Sequence, residues 1–215
     1  MRLRKKPWVI DELMNYTNLV VARPEEQQGK WLEAFNNQNP IHAEFGTGRG
    51  RFLIALAEKN SEVNYIALEQ KQEVLIQGIR RANQLGITNI KFILGNANRL
   101  SEFFAEGELS RIYLNFVDPW PKNRHAKRRL THHRYLEVYR GILTTGGEIH
   151  LKTDNEILFE FSLNETLAHN FLLKNICLNL YRDEENRFLH EQTDYELMYI
   201  KEGRPIYRVE IIEQP

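Results

Sequence analysis

The sequence predicts an α/β fold built on a doubly wound, mostly parallel sheet. Three observations lead there. Short apolar runs alternate with stretches of helical period, which is how a parallel sheet with crossover helices reads in sequence. A glycine-rich turn, Gly46–Gly50, joins the first of those strands to its helix. An acid, Glu69, closes the second strand at the distance from that turn expected of a nucleotide site.

Taken in order, residues 1–23 mix basic and apolar side chains without a sustained period and read as an arm or irregular cap. Pro24 suits the first turn of a helix over Glu25–Asn36, with Trp31, Leu32 and Phe35 on one face. Ile41–Phe45 is the first strand, and Arg51–Lys59 the helix after the turn, with Phe52, Leu53, Leu56 and Ala57 inward. Asn64–Glu69 is the second strand. Gln72–Leu85 is a helix stopped by Gly86, and Ile90–Leu94 is a third strand. Arg111–Val117 is a fourth strand, which Asp118-Pro119-Trp120-Pro121 must break. His133–Leu143 is helical, Gly146-Gly147 turns into a fifth strand at Glu148–Thr153, and Asn155–His169 is helical. Phe171–Tyr181 and Pro205–Ile212 are strands that break the alternation, as expected of an antiparallel finish at the sheet edge. One or two helical turns fall at Glu196–Gly203. The organisation expected is an N-terminal arm and helix over residues 1–40, packed on a main domain over residues 41–215, in a single structural domain overall.

Composition narrows the class. The 215 residues carry 29 basic and 29 acidic side chains, so the formal net charge is zero and a uniformly basic coat is excluded. One local patch stands out: Lys122, Arg124, Lys127, Arg128, Arg129 and Arg134 follow one another with no acid between them. No apolar run approaches the roughly 20 residues of a membrane span. The basic N-terminus is not followed by a long apolar segment, so a secretory leader is not expected. Cys177 is the only cysteine, which excludes an intrachain disulfide and argues against a cysteine-based metal site. His132 and His133 adjoin, but no third ligand stands at matching spacing, so no metal is expected. A cytoplasmic protein without membrane attachment follows, as a monomer or homodimer.

The turn Glu44-Phe45-Gly46-Thr47-Gly48-Arg49-Gly50 has the spacing G-x-G-x-G and not the dinucleotide fingerprint. Its glycines allow a sharp bend and a close approach of ligand to backbone. An acid two residues before the first glycine is tolerated where no pyrophosphate is bound, and Glu44 suits a cationic ligand end such as an amino group. Glu69 is placed to accept hydrogen bonds from ribose hydroxyls. Asn96 and Ala97, after the third strand, offer an amide and a small side chain where an adenine ring would lie. Together these favour an adenosyl ligand without phosphates, of which S-adenosylmethionine is the common one.

Asp118 follows the fourth strand, where ligands of open α/β sheets sit near the reversal of strand order. Pro119 and Pro121 stiffen the turn. Trp120 between them reads either as core packing or as a surface on which a base stacks. The basic run beside it suits phosphate contacts of an RNA.

The run Asp118-Pro-Trp-Pro-Lys-Asn-Arg-His-Ala-Lys-Arg-Arg129 closely resembles the signature D-P-W-P-K-x-R-H-x-K-R-R of the bacterial tRNA (guanine-N7-)-methyltransferases. Glu44–Gly50 resembles that family's cofactor turn, Lys152-Thr153-Asp154 its fifth-strand motif, and Thr193-Asp194-Tyr195-Glu196 its T-x-Y-E motif. The resemblance extends over most of the chain. One departure is Asn96, where the family often has aspartate. The resemblance implies a Rossmann-like class I S-adenosylmethionine-dependent methyltransferase with a seven-stranded sheet, acting on N7 of a guanosine in the tRNA variable loop. It implies cofactor contacts at Glu44, Gly46, Gly48, Glu69, Asn96, Ala97 and Asp118, with Asp118 also catalytic. Substrate contacts are implied at Lys122, Asp154, Thr193, Asp194, Tyr195 and Glu196, and RNA contacts at Arg124, His125, Ala126, Lys127, Arg128 and Arg129.

Guanine N7 carries a lone pair and loses no proton when it attacks a sulfonium methyl, so no strong general base is required and none is apparent. Asp118 or Asp154 is suited to stabilise the cationic purine that forms. Glu196 has two readings. As a carboxylate it can accept both guanine N1–H and the exocyclic amine; with Thr193 it also has the Thr-x-x-Glu spacing of a helix capping box.

Overall fold

A computed structural model describes residues 8–182 and 191–213. The described residues fall into two compact units, divided between Ala105 and Glu106. The elements in chain order are α1 (Trp8–Leu13), α2 (Trp31–Phe35), β1 (Ile41–Phe45), α3 (Arg51–Lys59), β2 (Asn64–Glu69), α4 (Gln72–Gln84), β3 (Ile90–Leu94) and α5 (Leu100–Phe103). They continue with β4 (Leu109–Asn115), α6 (His133–Ile142), β5 (Leu143–Thr153), α7 (Glu156–Ala168), β6 (Leu172–Cys177), α8 (Asp194–Lys201) and β7 (Tyr207–Ile212). The strands make a seven-stranded mixed sheet in the order β3-β2-β1-β4-β5-β7-β6. Strand β7 pairs antiparallel with both β5 and β6.

In the first unit β1 pairs β2 and β2 pairs β3, all parallel. Every residue of β2 is buried, the pattern of a strand covered on both faces. Helices α3 and α4 bury Leu53 and Ile54, and Leu75 and Ile79, which stand at the i, i+1 and i, i+4 positions of an apolar face. The N-terminal segment is tied to this unit at several points. Arg80 of α4 donates from Nε and Nη2 to Glu12 of α1 at 2.6 Å. Val20 forms a parallel bridge with Phe92. Trp31 is fully buried and donates from Nε1 to the Phe103 carbonyl at 2.8 Å.

In the second unit β4 pairs β5 in parallel, and Ile112, Leu114, Leu136, Ile149, Leu151, Leu158, Val209 and Ile211 are fully buried. Asn155 caps α7, its Oδ1 accepting from Leu158 N at 2.8 Å.

Several elements differ from the sequence expectation. The helix expected over Glu25–Asn36 is a 3-10 turn at Pro24–Gln27 followed by α2, because Gly29 between them is left-handed at φ +75°. Helix α1 lies in what read as an arm, since six residues are too few to show a period. The turn expected at Gly146-Gly147 lies inside β5, where β4–β5 pairing shifts register. Strand β6 is shorter than Phe171–Tyr181, and Asn175 within it is left-handed at φ +50°.

Candidate active site

The glycine turn is a backbone device. Gly46, Gly48 and Gly50 take φ of +84°, +60° and +68°, a region where a Cβ costs energy. That is why the spacing is G-x-G-x-G: alternate residues must be left-handed. The turn is hung on β2, since Gly46 N and Thr47 N both donate to the Leu68 carbonyl, at 2.9 and 3.1 Å. A Cβ on Gly48 would meet nothing within 4 Å, so the space above the turn is open.

Glu44 is buried, and its Oε2 accepts from Thr47 Oγ1 at 2.5 Å, bracing the turn from behind. Glu69 is buried as well. Its Oε2 accepts from Gly48 N at 3.1 Å, and its Oε1 from Gln70 N and Lys71 N at 2.9 Å each. A carboxylate has about four lone-pair sites, so Glu69 orders the turn and keeps acceptor capacity for a ribose hydroxyl. Asn96 is exposed; its Oδ1 accepts from Asn98 N at 2.9 Å and its Nδ2 donates to Gln70 at 3.3 Å. Ala97 beside it is half-buried.

A residue missed by the sequence reading supports this turn. A Cβ on Gly78 of α4 would lie 2.5 Å from the Arg49 carbonyl oxygen. Helix α4 therefore packs backbone to backbone against the turn, and the only trace of it in sequence is a glycine inside a helix, where it costs about 1 kcal/mol relative to alanine.

The second unit carries Asp118, exposed on its turn. Phe116 and Trp120 on either side are left-handed at φ +50° and +42°, which for bulky residues marks stored strain. Phe116 N is held by the Lys152 carbonyl at 2.9 Å. Arg129 holds the other side. It donates from Nε to the Pro119 carbonyl and from Nη2 to the Trp120 carbonyl, each at 3.1 Å, and its guanidinium lies 4.4 Å from the Phe161 ring centroid. Arg129 is only 3% exposed. Of this cation, expected to contact RNA, Nε and Nη2 clamp the Asp118 turn. Lys122, Arg124, Lys127 and Arg128 are exposed, and His125 and Ala126 half-buried. Trp120 receives the Arg128 guanidinium 4.8 Å from its ring centroid and the His125 ring edge-on at 5.9 Å.

The Thr193–Glu196 motif resolves into a capping box. Thr193 Oγ1 accepts from Glu196 N at 3.1 Å, and Glu196 Oε2 accepts from Thr193 N at 2.7 Å. Glu196 is fully buried, and its Oε1 accepts from Lys152 Nζ at 3.0 Å and Tyr181 Oη at 2.7 Å. Burial, reinforced by the Glu196 charge, pushes the Tyr181 hydroxyl far above its ordinary range, so it stays a donor. Three of the roughly four acceptor positions of Glu196 are thus filled, and its capping-box reading is realised in the fold. Tyr195 is 55% exposed beside it; the Asp194 side chain lies outside the described residues. Asp154 pairs with Arg204, whose guanidinium lies 4.3 Å from the Tyr199 ring centroid.

The histidine pair acquires a neighbour that spacing could not show. Glu165, on α7, accepts from His133 N at 2.8 Å, and its Oε1 lies 2.8 Å from His133 Nδ1. Ligand atoms of His132, His133 and Glu165 lie within 4.8 Å of one another. Burial lowers the pKa of His132. Glu165 closes the N-terminus of α6.

The sheet order, the glycine turn and the strand-end acid define a class I S-adenosylmethionine-dependent methyltransferase. The family model described as "Putative methyltransferase" matches residues 38–209. A tRNA (guanine-N(7)-)-methyltransferase of Clostridioides difficile (strain 630) is 49% identical over 212 residues, covering 98% of each chain. The chain belongs to the tRNA (guanine-N(7)-)-methyltransferase family, whose methyl donor is S-adenosylmethionine. Among solved structures, an antibiotic-related methyltransferase superposes with a TM-score of 0.62 at 17% identity, covering 87% of this chain and 94% of that one. The 16S rRNA methyltransferase KamB superposes with a TM-score of 0.63 at 12% identity over the same shares. At these identities the likeness shows the fold alone. No helix among the described residues is long and apolar enough to cross a membrane.

Proposed function

We propose that this chain methylates N7 of a guanosine in the variable loop of tRNA, position 46 in tRNA numbering, in the cytoplasm, as a monomer or homodimer. The observation that carries this reading is Asp118, exposed on a strained, clamped turn that leads directly into an exposed basic run. Residues 41–215 act as the methyltransferase domain, with residues 1–40 packed on it.

S-adenosylmethionine supplies a methyl group on a sulfonium when bound. Glu44, Gly46, Gly48, Glu69, Asn96 and Ala97 bind and orient it. The lone pair of guanine N7 forms the new bond to carbon as the carbon–sulfur pair returns to sulfur, so the positive charge passes to the purine and no proton leaves. Asp118 acts on that developing charge, and alignment supplies most of the acceleration. Lys122, Arg124, His125, Ala126, Lys127 and Arg128 place the tRNA through its phosphates. Asp154, Thr193, Asp194 and Tyr195 meet the guanosine.

Incubation with unmodified tRNA and methyl-labelled S-adenosylmethionine, followed by nucleoside analysis, is expected to find the label in 7-methylguanosine. Label on another base, or none on the RNA, overturns the reading.

A further inference from the structure

The second unit carries an aromatic surface that its motifs do not explain. Phe116 and Tyr195 stack with ring centroids 5.9 Å apart and planes 28° apart. Phe116 and Tyr199 are 5.7 Å apart at 38°, and Tyr195 and Tyr199 are 6.2 Å apart at 21°. Tyr195 is thus stacked on both other rings, while Phe116 and Tyr199 are tilted to each other. A core cluster of this kind would be covered, yet Tyr195 is 55% exposed and Phe116 and Tyr199 are half-buried. Phe116 holds its place on this surface at φ +50°. Strain held by a bulky residue that is not fully buried points to a functional constraint.

The surroundings select an occupant. Phe116 stands two residues before Asp118, and the exposed basic run begins at Lys122. Arg204 lies over Tyr199 and holds the Asp154 carboxylate at the margin of the rings. The exposed Tyr195 ring and its neighbours offer π-faces, a carboxylate at the margin offers acceptors for N–H groups, and neighbouring cations offer partners for phosphates. Nucleobases combine a π-face with N–H donors and a phosphate backbone.

We propose that Phe116, Tyr195 and Tyr199 form the floor on which the target guanine of the tRNA stacks. This rests on the function proposed above. Electron-rich rings attract a cation more strongly than a neutral ring, and the purine gains positive charge as the methyl arrives. The floor therefore holds the methylating base more tightly than the unmethylated one, which raises kcat and not only affinity. Tyr195, the most exposed of the three, makes the main contact, Phe116 and Tyr199 complete the floor beside it, and Asp154 takes the guanine N–H edge.

The test compares Tyr195→Phe with Tyr195→Leu in the full-length protein, measuring kcat and KM for unmodified tRNA, tRNA affinity, cofactor affinity and Tm. Tyr195→Leu is expected to lower kcat by on the order of tenfold or more, with tRNA affinity, cofactor affinity and Tm near the parent's. Tyr195→Phe, which keeps the ring, is expected to retain most of kcat. A Leu variant as fast as its parent overturns the floor. So does a Phe variant as slow as the Leu variant, because the hydroxyl and not the ring would then matter. If the parent itself puts no label on guanine N7, the function falls and the floor with it; if the parent labels N7 and the Leu variant does so equally fast, only the floor falls.

Discussion

Residues 46–50 and residues 116–120 are both strand-end turns with left-handed residues, and they reach that conformation by opposite means. In the first turn the left-handed positions are Gly46, Gly48 and Gly50, for which the conformation is nearly free. In the second they are Phe116 and Trp120, each strained by about 1–3 kcal/mol. The first turn is braced by Glu44, Glu69, the backbone of Leu68 and the close packing of α4 at Gly78. The second needs a buried guanidinium, Arg129, across two of its carbonyls. A turn that presents backbone to a ligand uses residues without side chains. A turn that presents side chains must hold bulky residues in an unfavourable region, and the clamp lies elsewhere in the chain.

The sharpest way to break this comparison is at Asp118. Asp118→Ala is expected to reduce kcat by roughly 10²–10³-fold, the scale of removing one group aimed at developing charge. Binding of tRNA should change little, because the phosphate contacts remain. Equal kcat in variant and parent would remove the second turn from the chemistry.

Next in size is a stability effect. Glu196→Ala leaves Lys152 buried without its carboxylate partner and removes half of the capping box. Breaking one side of such a pair costs about 3–5 kcal/mol, measurable as a lower denaturation midpoint in urea. A Glu196→Ala protein as stable as its parent but unable to select guanine would return Glu196 to direct base reading.

A smaller and more discriminating effect separates Arg129 from its neighbours. Replacing Arg124, Lys127 and Arg128 together by Ala should weaken tRNA binding by about 10–100-fold and flatten the dependence of log K on log salt by up to roughly 0.9 per lost phosphate contact. Arg129→Ala should leave the salt slope unchanged while lowering Tm and kcat, because it releases the Pro119 and Trp120 carbonyls. A salt slope that falls with Arg129→Ala would make it a phosphate ligand after all.

What was legible in sequence follows the same division. The glycine turn could be read because only glycine satisfies its backbone, and the strand-end position of Glu69 follows from the apolar run before it. That Glu69 spends three acceptor sites on backbone N–H groups could not be read, since those partners are set by the turn's tertiary path. Arg129 looked like the other cations of its run, because burial of one guanidinium among several depends on Phe161, 32 residues later in the chain. Glu165 was invisible as the neighbour of His133 for the same reason. The Thr193–Glu196 spacing was legible as a cap; Lys152 and Tyr181, which also donate to its carboxylate, come from other parts of the chain.

The smallest expected effect sharpens the first turn by comparing two of its glycines. At Gly48 a Cβ meets open space, so Gly48→Ala suffers only the left-handed backbone, about 1 kcal/mol. The protein should fold, and the loss should show as weaker S-adenosylmethionine binding, because the new methyl projects into the space a ligand would use. At Gly78 the backbone is ordinary helix, where alanine is the better residue by about 1 kcal/mol. Propensity alone therefore predicts that Gly78→Ala stabilises the protein. The 2.5 Å approach to the Arg49 carbonyl opposes this, since neither partner is a flexible side chain and α4 or the turn must shift. Calorimetric titration with S-adenosylmethionine and thermal unfolding on both variants decide between these forces. Weaker cofactor binding in Gly78→Ala, from a residue the ligand need not touch, would show that α4 sets the height of the turn. A Gly78→Ala protein that is more stable and binds cofactor as the parent does would show that the turn moves freely, and the rigidity attributed to it would be wrong.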